Sequence, residues 1–450
     1  MKRFLSKRNI QILNGILLSA ILIHSVLRDI QMNNMFPEDL RNRVVGSRLQ
    51  KDKIIPYTYH WQPGDGIRYF DPINESVNST GVNNITASPF FHELLFSICD
   101  LPQRAISIIW LVLQYIFLTV MIILFTGLTT NHCRKWLLIN FGILFTLTEA
   151  WKTGIGCGQH YFFIGFLIAC ITACLIRNKK PVFFLAGLLA AVFVLTRPIA
   201  IVLFIPYLYD YKKHLIFLSV SFAVLTLYTI FIFINPYENA LYKNYMQSMV
   251  INVQNHYTAY QGLGLHVISV AADPGYSEVE GFNMAEVYKN RTENKKPFYT
   301  ENGNIFVIYE KITHRKITWL ALNLLSASTI LLLSVLFFIR LHRNSAREPQ
   351  VVLFGFVLYL MLEICLPIFR NQYNTVQWFP LVLTGLLLTT KWQTVPFLLL
   401  ITGLLLNISN LSWLPMRHTL GEFAWLLSLL LLVFTSPRNQ NTGLSTNEEI

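Results

Sequence analysis

An aspartate set just beyond a strongly apolar stretch can take a proton from a hydroxyl group, and Asp39 holds such a position. It follows Glu38 in "PEDLRNRVVGSRL", shortly after the apolar run Ile10–Ile23. A carboxylate fixed where water meets lipid is placed for general-base chemistry. The same two acids could simply offset the macrodipole at a helix N-terminus. Arg41 and Arg43 follow on the same segment and would supply positive charge beside Asp39. Arg197 lies between two apolar stretches with Pro198 directly after it. An ionisable residue deep in an apolar block calls for a functional partner, and a guanidinium there could hold a phosphate by charge-assisted hydrogen bonds. The alternative for Arg197 is a side chain that snorkels to the interface.

Three further groups could face the same cavity. Glu149, Lys152, Gln159 and His160 cluster in "TEAWKTGIGCGQHYFF", where Gly154, Gly156 and Gly158 suggest a tight turn. Glu149 and Lys152 could equally be an i,i+3 ion pair. His256 and His266 open a later polar stretch, and either could orient a carboxylate or contact phosphate. Arg370 leads "RNQY", Arg370 to Tyr373, and could contact substrate or cap a helix end. No His or Cys spacing suggests a metal, so the expectation is no metal and no cofactor.

These residues need a scaffold, and composition sets its class. The chain has 450 residues, 53% of them hydrophobic and 13% charged, with a mean hydropathy of +0.45. Soluble domains carry about 25% charged residues. Apolar blocks such as Ala105–Phe125 and Ile317–Ile339 are long enough to cross hydrocarbon as helices, and no alternation with a period of two points to a barrel. The expected class is all-α, a polytopic transmembrane helical protein. The net charge of +12 does not mark a nucleic-acid binder, because Lys and Arg sit in short clusters between apolar blocks. Such clusters mark cytoplasmic loops. Placing Lys2–Arg8, Arg134–Lys135, Arg177–Lys180, Lys212–Lys213 and Arg340–Arg347 inside predicts about 12 spans, both termini cytoplasmic. The first span is read as about Ile10–Leu27 and the third as Trp136–Ala150, while Pro181–Tyr209 reads as two short helices meeting at Arg197. Residues 28–103 and 235–316 then form two large extracytoplasmic loops, each of about 80 residues, and loops that long usually carry function. In the first, Leu40, Val44, Val45 and Leu49 share one helical face, which predicts an amphipathic helix lying at the interface.

Three segments carry a resemblance to a known family: "PEDLRNRVVGSRL", "ASPFFHELLFSICDLP", and the run from "GQHYFF" to "LTRPIAIVLFIPYL". The chain resembles membrane glycosyltransferases of the GT-C type, in particular the bacterial enzymes that take mannose or arabinofuranose from a polyprenyl-phosphate sugar. The resemblance covers the first half of the chain; the second half matches in span layout alone. It implies one glycosyltransferase domain in the cell membrane with its active site outside the cytoplasm. Asp39 would be the catalytic carboxylate and Arg197 would take the basic position where such proteins often have Lys. Arg41, Arg43, Gln159, His256 and Arg370 are the expected substrate contacts. The partners implied are a lipid-linked sugar donor, an acceptor glycan or glycolipid and membrane lipid, with no nucleic acid. Tyr57, Tyr59, Trp61, Tyr69 and Phe70 could offer faces for a sugar. A transporter or flippase, or an O-antigen polymerase or ligase, is the rival reading. Transporters tend to show internal repeats, and none is evident here.

Overall fold

A computed structural model of the chain describes residues 7–33, 37–61, 63–71, 85–259, 304–315, 317–343, 346–365, 370–389, 394–409, 411, 414 and 416–435. Among these residues all regular structure is helical. Among the described residues, six helices are long and apolar enough to cross a membrane: Asn9–Asn33, Gln103–Thr126, Leu215–Ile234, Trp319–Arg343, Glu348–Cys365 and Arg417–Phe434. A seventh span arises if Glu149–Cys157 and Tyr161–Arg177, bent by 120° at their junction, count as one. Lys180–Thr196, Pro198–Leu208 and Val395–Ile408 are apolar but shorter.

The chain begins with α1 (Lys7–Asn33) and α2 (Glu38–Lys51), followed by short 3₁₀ turns and α3 (Pro89–Leu94). Ser88 caps α3 by accepting from the Phe91 amide at 3.2 Å, with Pro89 in the first turn. The next helices are α4 (Gln103–Thr126), α5 (His132–Phe145), α6 (Glu149–Cys157) and α7 (Tyr161–Arg177). Asn131 and Thr148 cap α5 and α6, as short side chains that accept from free N-terminal amides do. Then α8 (Lys180–Thr196) stops at Arg197, and Pro198–Leu208 continues as 3₁₀ helix. The expected break at Arg197 is therefore present. Next come α9 (Leu215–Ile234), α10 (Pro236–Ala259), α11 (Ile305–Thr313), α12 (Trp319–Arg343) and α13 (Glu348–Cys365). A 3₁₀ turn, Gln372–Trp378, leads into α14 (Phe379–Leu388), and α15 (Val395–Ile408) and α16 (Arg417–Phe434) close the described chain.

Burial separates core from periphery. In α13, 83% of the residues lie inside the protein, against 11% in the most apolar stretch of α1. Leu13, Ile16 and Leu17 of α1 and Leu320 and Leu331 of α12 are exposed apolar side chains, as expected of surfaces that meet lipid.

Three expectations need correction. The first span does not end at Leu27: α1 runs on to Asn33, because Asp29 is buried and paired within the bundle. The third is not one continuous helix, since Thr146–Thr148 breaks the stretch and α6 starts afresh at Glu149. Lastly, α2 is not a surface helix with one apolar face. Its residues 40–50 are all buried, arginines included. Arg48 explains how: its guanidinium donates to the carbonyls of Cys99 (2.6 Å), Arg68 (3.0 Å) and Leu101 (3.1 Å). Carbonyl dipoles replace the water that a buried cation loses.

Candidate functional site

The polar centre forms where the start of α2 meets the junction of α6 and α7. Gly158 makes that meeting possible. It ends α6 in the left-handed conformation (φ +66°), and a Cβ there would lie 2.6 Å from Cβ of Leu40. Glycine is suited on both counts. Gly154 and Gly156 lie within α6 itself, so the turn expected from three glycines is made by Gly158 alone. Gly154 instead lets the Phe162 ring pack close, since an added Cβ would sit 2.7 Å from it.

The next two residues, Gln159 and His160, face α2. Gln159 donates through Nε2 to Oδ2 of Asp39, while its Oε1 accepts from Nη2 of Arg43 at 2.8 Å. Nη1 of Arg43 donates to the backbone carbonyl of Asp39 and lies 3.7 Å from its Oδ1. Nε of Arg43 donates to Nδ1 of His160 at 3.1 Å. A guanidinium cannot accept a hydrogen bond, so Nδ1 of His160 carries no proton in this arrangement. Asp39 is thus oriented from two sides but keeps a third of its side chain (34%) exposed. Burial pushes its pKa above the ordinary aspartate value, while Arg43 and the Gln159 hydrogen bond pull it back.

Arg197 reaches the same centre through Tyr161. Its guanidinium lies over the Tyr161 ring, 5.3 Å from the centroid. Tyr161 stacks on His160 at 4.9 Å and on Tyr373 at 5.6 Å, and its hydroxyl accepts from Asn374 at 3.0 Å. Tyr161 therefore contacts both His160, the partner of Arg43, and Arg197. The partner of Arg197 is Glu363 of α13, which also accepts from Gln377 at 2.8 Å. Nε of Arg197 has no hydrogen-bond partner among the described residues.

Other expected residues lie elsewhere. Arg41 points away from Asp39 and donates to the carbonyls of Ile67 and Phe70, at 3.0 and 2.8 Å, so it braces the 67–70 turn. Arg370 forms a buried two-pronged pair with Glu422, both bonds 2.8 Å, and Thr375 donates to the same carboxylate. Glu149 and Lys152 are a 3.7 Å ion pair one turn apart. His256 falls on α10, but its side chain lies outside the described residues, as does all of His266. Among the aromatics proposed to meet sugar, Tyr57 and Phe70 are buried; Trp61 packs on Phe70, and Tyr59 on Tyr69. Asp65 accepts from Tyr59 and Asp71 from Asn42, so both brace the loop.

Sequence reasoning left out Tyr161 and Glu363, and named Tyr373 only as part of the Arg370 segment. Glu363 carried a usable signal: a single acid inside the apolar run "VLYLMLEICLP" demands a partner. Nothing local marks Tyr161 or Tyr373, because aromatic residues are common at span ends. Among the described residues no group of three or more His, Cys, Asp or Glu could hold a metal ion.

The model of glycosyltransferase family 87 matches residues 88–274. The matched stretch includes Gln159, His160, Tyr161 and Arg197 and begins after Asp39. Together with the apolar helices, the match supports a membrane glycosyltransferase. No curated protein and no solved structure matches the chain.

Proposed function

From a site of this geometry and a match to a glycosyltransferase family, we propose a GT-C-type enzyme that transfers a sugar from a polyprenyl-phosphate donor to a hydroxyl of a glycan or glycolipid. The sugar would be a hexose such as mannose, or a pentose. Transfer takes place on the extracytoplasmic side of the cell membrane, with the segments between α1 and α4 and between α9 and α12 on that side. The observation that supports the reading is the chain of contacts from Asp39 through Arg43, His160 and Tyr161 to Arg197.

The chemistry divides between these two groups. Asp39 accepts the proton of the acceptor hydroxyl as its oxygen forms a bond to the anomeric carbon. The bond from that carbon to the phosphate oxygen breaks, and the lipid phosphate leaves with the electron pair. This leaving group is a stable anion and needs no proton. Arg197 supplies positive charge for it, while Glu363 holds Nη2 of its guanidinium. Gln159 and Arg43 set the orientation of the carboxylate. No cofactor is required.

The test is turnover in membranes supplied with a panel of radiolabelled polyprenyl-phosphate sugars. Asp39→Asn should lower turnover by about 10²–10⁴-fold, the usual worth of a general base, with little change in donor binding. Glu38→Gln should be mild, since successive helical residues point about 100° apart. Near-normal turnover in Asp39→Asn would remove the base assignment. Arg197→Gln should weaken donor binding, and Arg197→Lys should retain part of it. Because Arg197→Gln leaves Glu363 unpaired, it is compared with Arg197→Gln/Glu363→Gln. Unchanged donor affinity in both would make Arg197 a purely structural partner.

A further inference from the structure

Asp29 lies in α1, ten positions before Asp39, and is fully buried. Its two oxygens collect four hydrogen bonds. Oδ1 accepts from Nε and Nη2 of Arg28 at 2.8 and 2.6 Å. Oδ2 accepts from the Tyr115 hydroxyl and from the Trp151 indole, each at 2.6 Å. The same Arg28 donates to the Thr146 carbonyl at 2.9 Å, and Ser25 pairs with the Thr146 hydroxyl at 2.8 Å. A carboxylate with this many short, charge-assisted bonds is held firmly and holds its donors firmly.

The donors matter because of what they carry. Trp151 is in the first turn of α6, the helix that ends at Gly158 and delivers Gln159 and His160 to Asp39. Thr146 belongs to the turn that precedes α6, and Tyr115 to α4. Asp29 itself sits on the last turns of α1, the helix that leads toward Pro37 and Asp39. Asp29 thus ties together the supports of both partners in the Asp39–Gln159 hydrogen bond.

We infer that Asp29 is a positioning residue for the transfer reaction: through Trp151 it fixes α6 against α1 and so sets how Gln159 meets the Asp39 carboxylate. The effect on turnover rests on Asp39 being the base; the effect on geometry does not. A site displaced by about 1 Å can lose 10²-fold in rate, so a clamp that sets where Gln159 sits has kinetic consequences.

Two measurements test it. The first is a double-mutant cycle on turnover. Asp29→Asn, and separately Trp151→Phe, which keeps a large aromatic ring but loses the N–H, should each lower kcat by about tenfold with donor KM unchanged, within the range that misplacement can cause. In a Gln159→Ala background the same changes should cost less than about twofold, because residues acting through one contact are not additive. Multiplicative losses in the cycle would overturn the proposal and make Asp29 a general stabiliser.

The second measurement needs no activity. Asp39→Cys and Gln159→Cys are joined by a short bifunctional thiol reagent, and the linked peptide is quantified by mass spectrometry. Its yield should fall several-fold when Trp151→Phe or Asp29→Asn is added; an unchanged yield in both overturns the proposal. Turnover retained by Asp39→Asn, with a cross-link still sensitive to Trp151→Phe, would separate failure of the base assignment from failure of the clamp.

Discussion

Asp39 owes its character to two opposed effects. Burial among α2, α6 and α7 raises its pKa, and Arg43 and Gln159 lower it. As the proposed general base, Asp39 would work in its ionised form, so the acid limb of kcat/KM should lie above the ordinary aspartate range. Gln159→Leu removes a hydrogen bond to the ionised carboxylate, which favours the protonated form. The limb should therefore move further to high pH, and activity should be lost first on the acid side. A pH–rate profile of the two proteins checks this, and a limb that moved down on removing Gln159 would contradict it. His160 contributes differently: with Nδ1 accepting from Arg43, it holds the guanidinium in place as a neutral ring.

At the scale of elements, the decisive joint is the end of α6. Gly158 has φ +66°, and Leu40 and Pro37 crowd the place where a side chain would start. Gly158→Ala should cost about 1–3 kcal/mol, the usual strain of a non-glycine residue held in such a conformation, plus displacement of Leu40. Thermal unfolding in detergent should show a lowered Tm, and turnover should fall even where the protein is folded, since Gln159 and His160 are the next residues. A variant with full turnover would mean that the joint does not set the site. The break after α8 works in the same way: Pro198 cannot continue the hydrogen bonding of the helix, so Arg197 is turned out of α8 and toward Tyr161.

For the whole molecule, the notable feature is how far charge is buried in pairs. Arg197–Glu363 and Arg370–Glu422 both join the 3₁₀ and loop segments to central helices. Arg370 and Glu422 are each only 3% exposed. Removing one member of such a pair leaves a buried charge uncompensated, at about 3–5 kcal/mol, whereas replacing both by apolar residues can be near neutral. Glu422→Gln should therefore lower Tm sharply, and Arg370→Met/Glu422→Leu should recover most of it. If the double variant also keeps donor KM, Arg370 acts as a brace between the Gln372–Trp378 turn and α16. A raised donor KM in that stable variant would return Arg370 to the substrate contacts first expected of it.

The sequence by itself determined the helical class, the main apolar helices and the break at Arg197, because these depend on runs of apolar residues and on proline, which are local properties. It also singled out Asp39 beyond the first apolar stretch, Gln159 at a glycine-rich turn and Arg197 between two apolar stretches. What it could not determine was which of them meet. Gln159 and Asp39 are 120 residues apart, and their contact depends on how α6 seats against α2. Arg41 and Arg43 look alike in the sequence, yet one braces a turn and the other orients a carboxylate. The two residues are separated by about 200° around a helix, so packing on each side assigns their partners. The burial of α2 was hidden for a related reason. Its arginines read as a polar face for water, and only the tertiary structure supplies the carbonyls of residues 67–70 and 99–101 that take water's place.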